Sequence, residues 1–332
     1  MFIEPKFVNR VEELNILNKL ATEGCILPIY IYGPEGCGKT RLLKEFVRNF
    51  HDIAIYIDAL EREDIHKVLM YSSCLKDVVD VLLAFLQTIS GHLGRVLIDK
   101  IFTIVSKIST KFKLEDRHLV IALDDVSRAI GLDEIEWYVK WLYNSISKIS
   151  EEYEPKSILI IVTTSEGISK RLVARHRHAL IYMIWSLEYE AFQELTKQLN
   201  PPSKDIVDKV WELTGGNPSK LLEIALIHKW NVNLWFEHLE ERIEEIFDRI
   251  RRENLIKELI LLLEDPDIIH KQTTQELYKL YEILEYESLM MYVGYSLITG
   301  KRIQKQPELG IGQYYAWQIP AYRVVFLKIM NL

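Results

Sequence analysis

Cysteine is scarce: Cys25, Cys37 and Cys74 are the whole complement of a 332-residue chain. Three scattered thiols exclude a disulfide framework and the paired spacing of a structural zinc site, so a reducing cytoplasm is the expected location. Glycine (14) and proline (10) are also few, which excludes collagen-like and low-complexity chains. No run of about 18 uncharged apolar residues occurs, and the first residues, Met-Phe-Ile-Glu-Pro-Lys, lack a signal-peptide pattern. The chain is therefore expected neither to span a membrane nor to be secreted. Positive charge is in deficit, with a formal net charge of -7. That excludes a protein that coats nucleic acid over its whole surface, while leaving local basic patches open. What is abundant is core material: 48% of residues are apolar and 27% charged, enough for about two domains at this length.

The first half alternates apolar β-type runs with helical patterns. Ile26–Tyr32, Ile53–Asp58, Leu119–Asp124, Ile158–Thr163 and Leu180–Trp185 are nearly continuous in Ile, Val, Leu and Tyr. Strands read that way when both faces are covered, which predicts a parallel sheet flanked by helices. Residues 63–113 read as a long helical insert, with apolar segments Val78–Leu86 and Val96–Val105 broken near Ser90–Gly94. Pro201-Pro202 and Gly215-Gly216-Asn217-Pro218 punctuate the second half. Leu234–Leu263 and Thr274–Met291 are helical in pattern, the latter opening with a capping signal. Strand-like pieces Tyr292–Ile298 and Gln313–Ile319 then flank a loop, predicting helices followed by a β-hairpin, the outline of a winged helix. The expected architecture is an α/β core over 1–190, a helical lid over 191–232 and a winged-helix-like module over 233–332.

Gly33-Pro34-Glu35-Gly36-Cys37-Gly38-Lys39-Thr40 matches G-x-x-x-x-G-K-[ST] without departure. It follows the first predicted strand and precedes the amphipathic stretch Arg41–Phe50, the context such a loop requires. Glycines let the backbone curl so that successive N–H groups face phosphate oxygens, and the helix dipole adds positive charge there. Lys39 is expected to span the β- and γ-phosphates of ATP and the Thr40 hydroxyl to ligate Mg²⁺. The whole loop with Arg41 is the candidate binding segment. His118-Leu-Val-Ile-Ala-Leu-Asp124-Asp125 is an apolar run ending in two carboxylates. Asp124 is expected to hold the Mg²⁺ shell and Asp125 to orient or deprotonate the attacking water. Asp125 is one methylene shorter than Glu, which suggests slow hydrolysis. The structural alternative is an acidic turn after a buried strand.

Residues beyond the loop carry a resemblance. Phe7-Val8-Asn9-Arg10-Val11-Glu12-Glu13-Leu14 resembles the F-x-x-R-x-x-E-L motif of archaeal ATPase-domain proteins, STAND signalling ATPases and origin-recognition AAA+ proteins. Leu213-Thr-Gly-Gly-Asn-Pro218 resembles the G-G-N-P motif of their helical lid, and Leu123–Val126 with Thr163-Thr164 is similar to NB-ARC-type STAND members. The resemblance covers about residues 5–230. It implies that ATP or ADP lies between core and lid, with Phe7, Val8 and Arg10 bordering the adenine and Pro218 packing on the base. It implies that Thr164 touches the γ-phosphate. The lid arginine of such families is missing, and Lys220 stands nearest that sensor position. Plainer readings are an ion pair of Arg10 with Glu13 and a helix-opening proline at 218.

Partners are less defined. Residues 231–332 hold 12 Lys/Arg against 16 Asp/Glu, yet Lys301, Arg302, Lys305, Arg323 and Lys328 face only Glu308 in the final stretch. With Tyr314, Tyr315 and Trp317 this suggests either a wing on DNA phosphates or a hairpin with a buried aromatic face. The helical insert and the winged helix are the candidate protein-binding surfaces. Arg171, Arg175 and Arg177 suggest an arginine finger acting within the chain or across an oligomer; a solvated basic helix end is the alternative.

Overall fold

A computed structural model describes residues 5–61, 64–78, 100–164, 167–175, 177–272 and 274–331. The expected apolar helix beyond Val78, the break near Ser90–Gly94, Ser165 and His176 lie outside them. The chain divides into two compact units. One comprises Arg10–Tyr32 and Lys39–Tyr182; the other comprises Met1–Asn9, Gly33–Gly38 and Met183–Leu332.

The first unit is built on a sheet of six strands, β1 (Ile29–Tyr32), β2 (Ile53–Asp58), β3 (Leu69–Tyr71), β4 (His118–Asp124), β5 (Ser157–Thr164) and β6 (Leu180–Met183), in the order β3-β2-β4-β5-β1-β6. The pairs β2–β4, β4–β5 and β5–β1 are parallel. Their continuous apolar runs follow from burial on both faces: all eight residues of β5 are buried. Among its helices, α1 (Val11–Glu23), α2 (Lys39–Asn49), α3 (Ile101–Ser109), α4 (Val126–Ile130), α5 (Ile135–Tyr153) and α6 (Gly167–Ala174) take up the connections. In α2 the apolar Leu42, Leu43, Phe46 and Val47 are buried while Arg48 is exposed, which fixes its rotation. Each fully buried side chain of that size contributes about 1.5–3 kcal/mol relative to exposure.

The stretch expected to be one helical insert differs in part. After a single helical turn at Ile65–Val68, Leu69–Tyr71 forms an edge strand antiparallel to β2. Three residues are too few to show a strand period, so an apolar triplet inside a helix-like pattern is misread.

The second unit is mainly helical. Its helices are α7 (Tyr189–Lys197), α8 (Lys204–Thr214), α9 (Pro218–Leu222), α10 (Val232–Arg252), α11 (Ile256–Glu264), α12 (Ile268–Lys271), α13 (Gln275–Tyr286) and α14 (Pro320–Ile329). The run expected over 234–263 is broken because Asn254 adopts φ 58°, a left-handed conformation that asparagine tolerates better than most residues. Thr274 caps α13 by accepting the Leu277 N–H. The expected hairpin is present as a short antiparallel pair, β7 (Met290–Tyr292) and β8 (Tyr315–Trp317), joined by the long segment 293–314. Asp267, 3% exposed, anchors that segment by accepting the N–H groups of Gln313, Tyr314 and Tyr315 at 2.7, 2.8 and 3.1 Å. Three charge-assisted bonds compensate a buried carboxylate that would otherwise be costly.

Candidate functional site

In the sheet unit, the carboxyl ends of the parallel strands carry the polar residues, where ligands bind in open α/β sheets. Asp58 on β2 lies in register with Asp124 on β4. Asp124 is 1% exposed and held on both oxygens. The Tyr56 hydroxyl donates to Oδ2 at 2.7 Å, and the Thr163 hydroxyl donates to Oδ1. Thr163 Oγ1 in turn accepts the Asp125 N–H at 3.1 Å. Asp125 itself has φ 51° at the start of α4, a strained conformation for a residue with a side chain. Burial, reinforced by the Asp124 charge, pushes its carboxyl up to about 6, while Arg128 and Lys39 pull the other way. The influence of Lys39 puts the lysine of the phosphate-loop motif in the same electrostatic neighbourhood as the paired acids. Asp58 is likewise raised, by burial first and then by Asp124.

Lys39 opens α2 and is 7% exposed; Thr40 and Arg41 follow it, both half-buried. One turn on, the Lys44 ammonium lies 5.1 Å from the centre of the Tyr56 ring. The two hydroxyls ending β5 face different partners, as alternation along a strand requires. Thr163 meets Asp124, whereas Thr164 lies 3.2 Å from the Ser127 hydroxyl on α4. Arg10 pairs with Glu13 at 2.8 Å from a left-handed backbone at the start of α1. Arg175 pairs with Glu136 of α5 at 3.4 Å on the surface. Thr40 and Asp124 offer hard oxygen donors, the chemistry Mg²⁺ takes alongside water and phosphate, so the donor set fits that ion. Among the described residues no group of three or more His, Cys, Asp or Glu is placed to hold a metal by itself.

The helical unit contains the loop Gly33–Gly38, and this loop is gripped at its tip. Gly36 has φ +77°, and a Cβ there would come within 2.5 Å of the Ser219 Cβ. The Asn217 amide donates to the Glu35 carbonyl at 2.8 Å, and the Ser219 N–H to the Gly36 carbonyl at 3.3 Å. From the far end of the chain, Gln318 Oε1 accepts the Glu35 N–H at 2.8 Å. The thiol of Cys37 is buried against the Ile184 carbonyl. Asn217 also caps α9 by accepting the Lys220 N–H, with Pro218 as the first helical residue. Gly216, with φ +79°, precedes them because a Cβ would lie 2.1 Å from the Leu187 carbonyl oxygen. Lys220, the expected sensor, forms an ion pair with Glu223 at 2.6 Å, and Glu223 also accepts the buried Trp235 N–H. Val8 belongs to this unit's core and Phe7 is half-buried. Near the same cluster Tyr322 is raised by burial, with Lys220, Glu35 and Glu223 among its charged neighbours.

Tyr56 and Gln318 are among the residues that sequence reasoning did not single out. A strand tyrosine reads as core, although its place two residues before Asp58 was a usable signal. Gln318 carries no motif at all.

A mainly parallel sheet, with a strand running through G-x-x-x-x-G-K-T into a helix and an acidic strand end in the same sheet, defines a P-loop NTPase fold. Residues 7–224 match the ATPase domain predominantly from Archaea, and the chain belongs to that family. An uncharacterised ATP-binding protein of Methanocaldococcus jannaschii is 24% identical over 313 residues, covering 83% of each chain. One from Pyrococcus abyssi is 24% identical over 273 residues, covering 74% of this chain and 79% of its own. Among solved structures, the Aeropyrum pernix ORC2 protein aligns with 99% of this chain and 87% of its own at 12% identity, with a TM-score of 0.40. The chain thus carries a nucleotide-binding domain of an ATPase family, and no described helix is long and apolar enough to cross a membrane.

Proposed function

We propose that this chain is an ATP-binding, Mg²⁺-dependent switch ATPase with slow turnover. Gly33–Thr40 with Arg41 would cradle the phosphates, Lys39 would neutralise the β- and γ-groups, and Thr40 with Asp124 would hold Mg²⁺. Asp125 would act as base or water-orienting group, and Thr164 and Lys220 as γ-phosphate sensors. Phe7, Val8, Arg10 and Pro218 would border the base. Among the described residues no disulfide joins Cys25, Cys37 or Cys74, which suits a cytoplasmic location.

One observation carries the switch. The Glu35 peptide is hydrogen-bonded on one side by Asn217 and on the other by Gln318, 283 residues away in sequence. A ligand that changes the conformation of the loop tip therefore changes the free energy of both contacts, and the coupling is reciprocal. Gln318→Ala is expected to retain nucleotide binding but shift the ratio of ADP to non-hydrolysable ATP affinity by about 3–10-fold, the worth of one hydrogen bond. Calorimetry with both nucleotides measures that ratio; an unchanged value would remove Gln318 from the switch.

A second reading, contact with DNA, is favoured by the exposed Lys301, Arg302 and Lys305 on the segment before β8. The neighbouring aromatics lend it less. Trp317 is fully buried, Tyr315 packs edge-on to Tyr281, and Tyr314 stacks on His270 at 4.0 Å. If DNA is the partner, anisotropy with duplex DNA falls steeply with salt, and Lys301→Ala with Arg302→Ala flattens the slope by about one unit per lost phosphate contact. No binding at low salt, with or without ATP, leaves a protein partner or a second copy of the chain as the effector.

A further inference from the structure

The strand geometry around Asp124 points to a role for a residue that no motif contains. Tyr56 lies in the middle of β2, fully buried, and pairs across the ladder with Ala122 of β4. Side chains at 122 and 124 share a face, since alternate residues of a strand do. A methyl group at 122 leaves room for the phenol to lie along β4 and reach the carboxylate two residues on. The hydroxyl meets Asp124 Oδ2 at 2.7 Å, while Thr163 from β5 takes Oδ1. Asp124 is thus fixed from both neighbouring strands, and its rotamer is set before any ligand arrives.

We propose that Tyr56 is a positioning residue for the metal: by holding Asp124 it sets the affinity of the protein–nucleotide complex for Mg²⁺. The proposal rests on the reading of Asp124 as part of the Mg²⁺ shell. Mg²⁺ demands near-ideal octahedral geometry, so a freely rotating carboxylate is a poorer partner than a fixed one. Hydrogen bonds to ligating groups are worth about 10–100-fold in metal affinity when removed. A tyrosine kept only for packing would behave otherwise. Its hydroxyl would need an acceptor, but its loss would lower stability without touching the metal response.

The test is an equilibrium titration of the full chain with a fluorescent ADP analogue, first in EDTA and then across a Mg²⁺ series. Tyr56→Phe keeps the ring, its packing and its contact with Lys44, and deletes only the hydroxyl. The expected result is an unchanged affinity in EDTA, with the Mg²⁺ concentration for half-maximal tightening raised about 10–100-fold. Tyr56→Leu should show the same Mg²⁺ loss together with a lower melting temperature. A wild-type Mg²⁺ midpoint in Tyr56→Phe, while Asp124→Asn has lost its response, overturns the role of Tyr56. Loss of the response in Tyr56→Leu but not in Tyr56→Phe assigns the effect to packing and overturns it too. A wild-type response in Asp124→Asn instead defeats the underlying reading of Asp124, a separate outcome.

Discussion

Asp125→Asn is expected to do two opposite things: slow ATP turnover by about 10²–10⁴-fold and stabilise the nucleotide-free, metal-free protein. The first follows from the role proposed for Asp125 as the base that orients or deprotonates the attacking water, and is the usual cost of losing such a group. The second follows from the electrostatics of the site. Burial and the adjacent Asp124 raise the Asp125 carboxyl from 3.8 to about 6. Below about pH 4 the group is neutral in both folded and unfolded chains and carries no penalty. As pH rises, the unfolded chain releases this proton first and the folded chain holds it until about pH 6. Stability therefore falls across that window, and the full penalty persists above it. Two pK units correspond to at most about 3 kcal/mol, and partial solvation of this half-buried group reduces the expected value to about 1–2 kcal/mol.

Asparagine lifts the penalty and suits the left-handed backbone at 125 as well as aspartate does. In chelator, the melting temperature of Asp125→Asn should exceed that of the parent by a few degrees at pH 7.5, and the two should converge at pH 4. A gain of equal size at both pH values would assign it to backbone preference rather than to charge.

The same site shows which parts of the molecule were legible in the chain. Strands β2, β4 and β5 announced themselves because both faces are buried, leaving runs such as Ile53–Asp58 without a polar residue before the functional end. The phosphate loop was legible because its chemistry needs a fixed local spelling. Strand β3 was not, being three residues on an edge. The first C-terminal strand was misplaced, lying at Met290–Tyr292 where Tyr292–Ile298 was expected, and the second is shorter than expected, because their ladder is only three residue pairs long. Contacts between residues far apart in sequence were the least accessible. Tyr56 meets Asp124 from 68 residues away, and Gln318 meets Glu35 from 283. Neither residue type signals such a partner, because hydroxyl and amide groups serve equally well on a surface or in a core. Of the pair Thr163-Thr164, only the register of β5 shows which hydroxyl touches the acid.

Nucleotide binding at Gly33–Thr40 is the claim on which the switch, the metal site and the role of Tyr56 all depend. Lys39 is 7% exposed at the N-terminus of α2, and its charge is felt at Asp125. Such a buried lysine at the start of a helix is suited to a polyphosphate that brings several negative charges. Removing it deletes the one full positive charge of the motif and leaves the partial charges of backbone and helix dipole to bind alone. Lys39→Ala is therefore expected to lose about 10²-fold or more in affinity, the worth of roughly 3 kcal/mol of charge-assisted contact, while its melting temperature without nucleotide stays near that of the parent. Calorimetric titration of the parent chain and Lys39→Ala with Mg-ADP and with a Mg-bound, non-hydrolysable ATP analogue measures this directly. The expected result is saturable one-to-one binding in the parent that disappears in the variant; binding of equal affinity in both would contradict the assignment of the site.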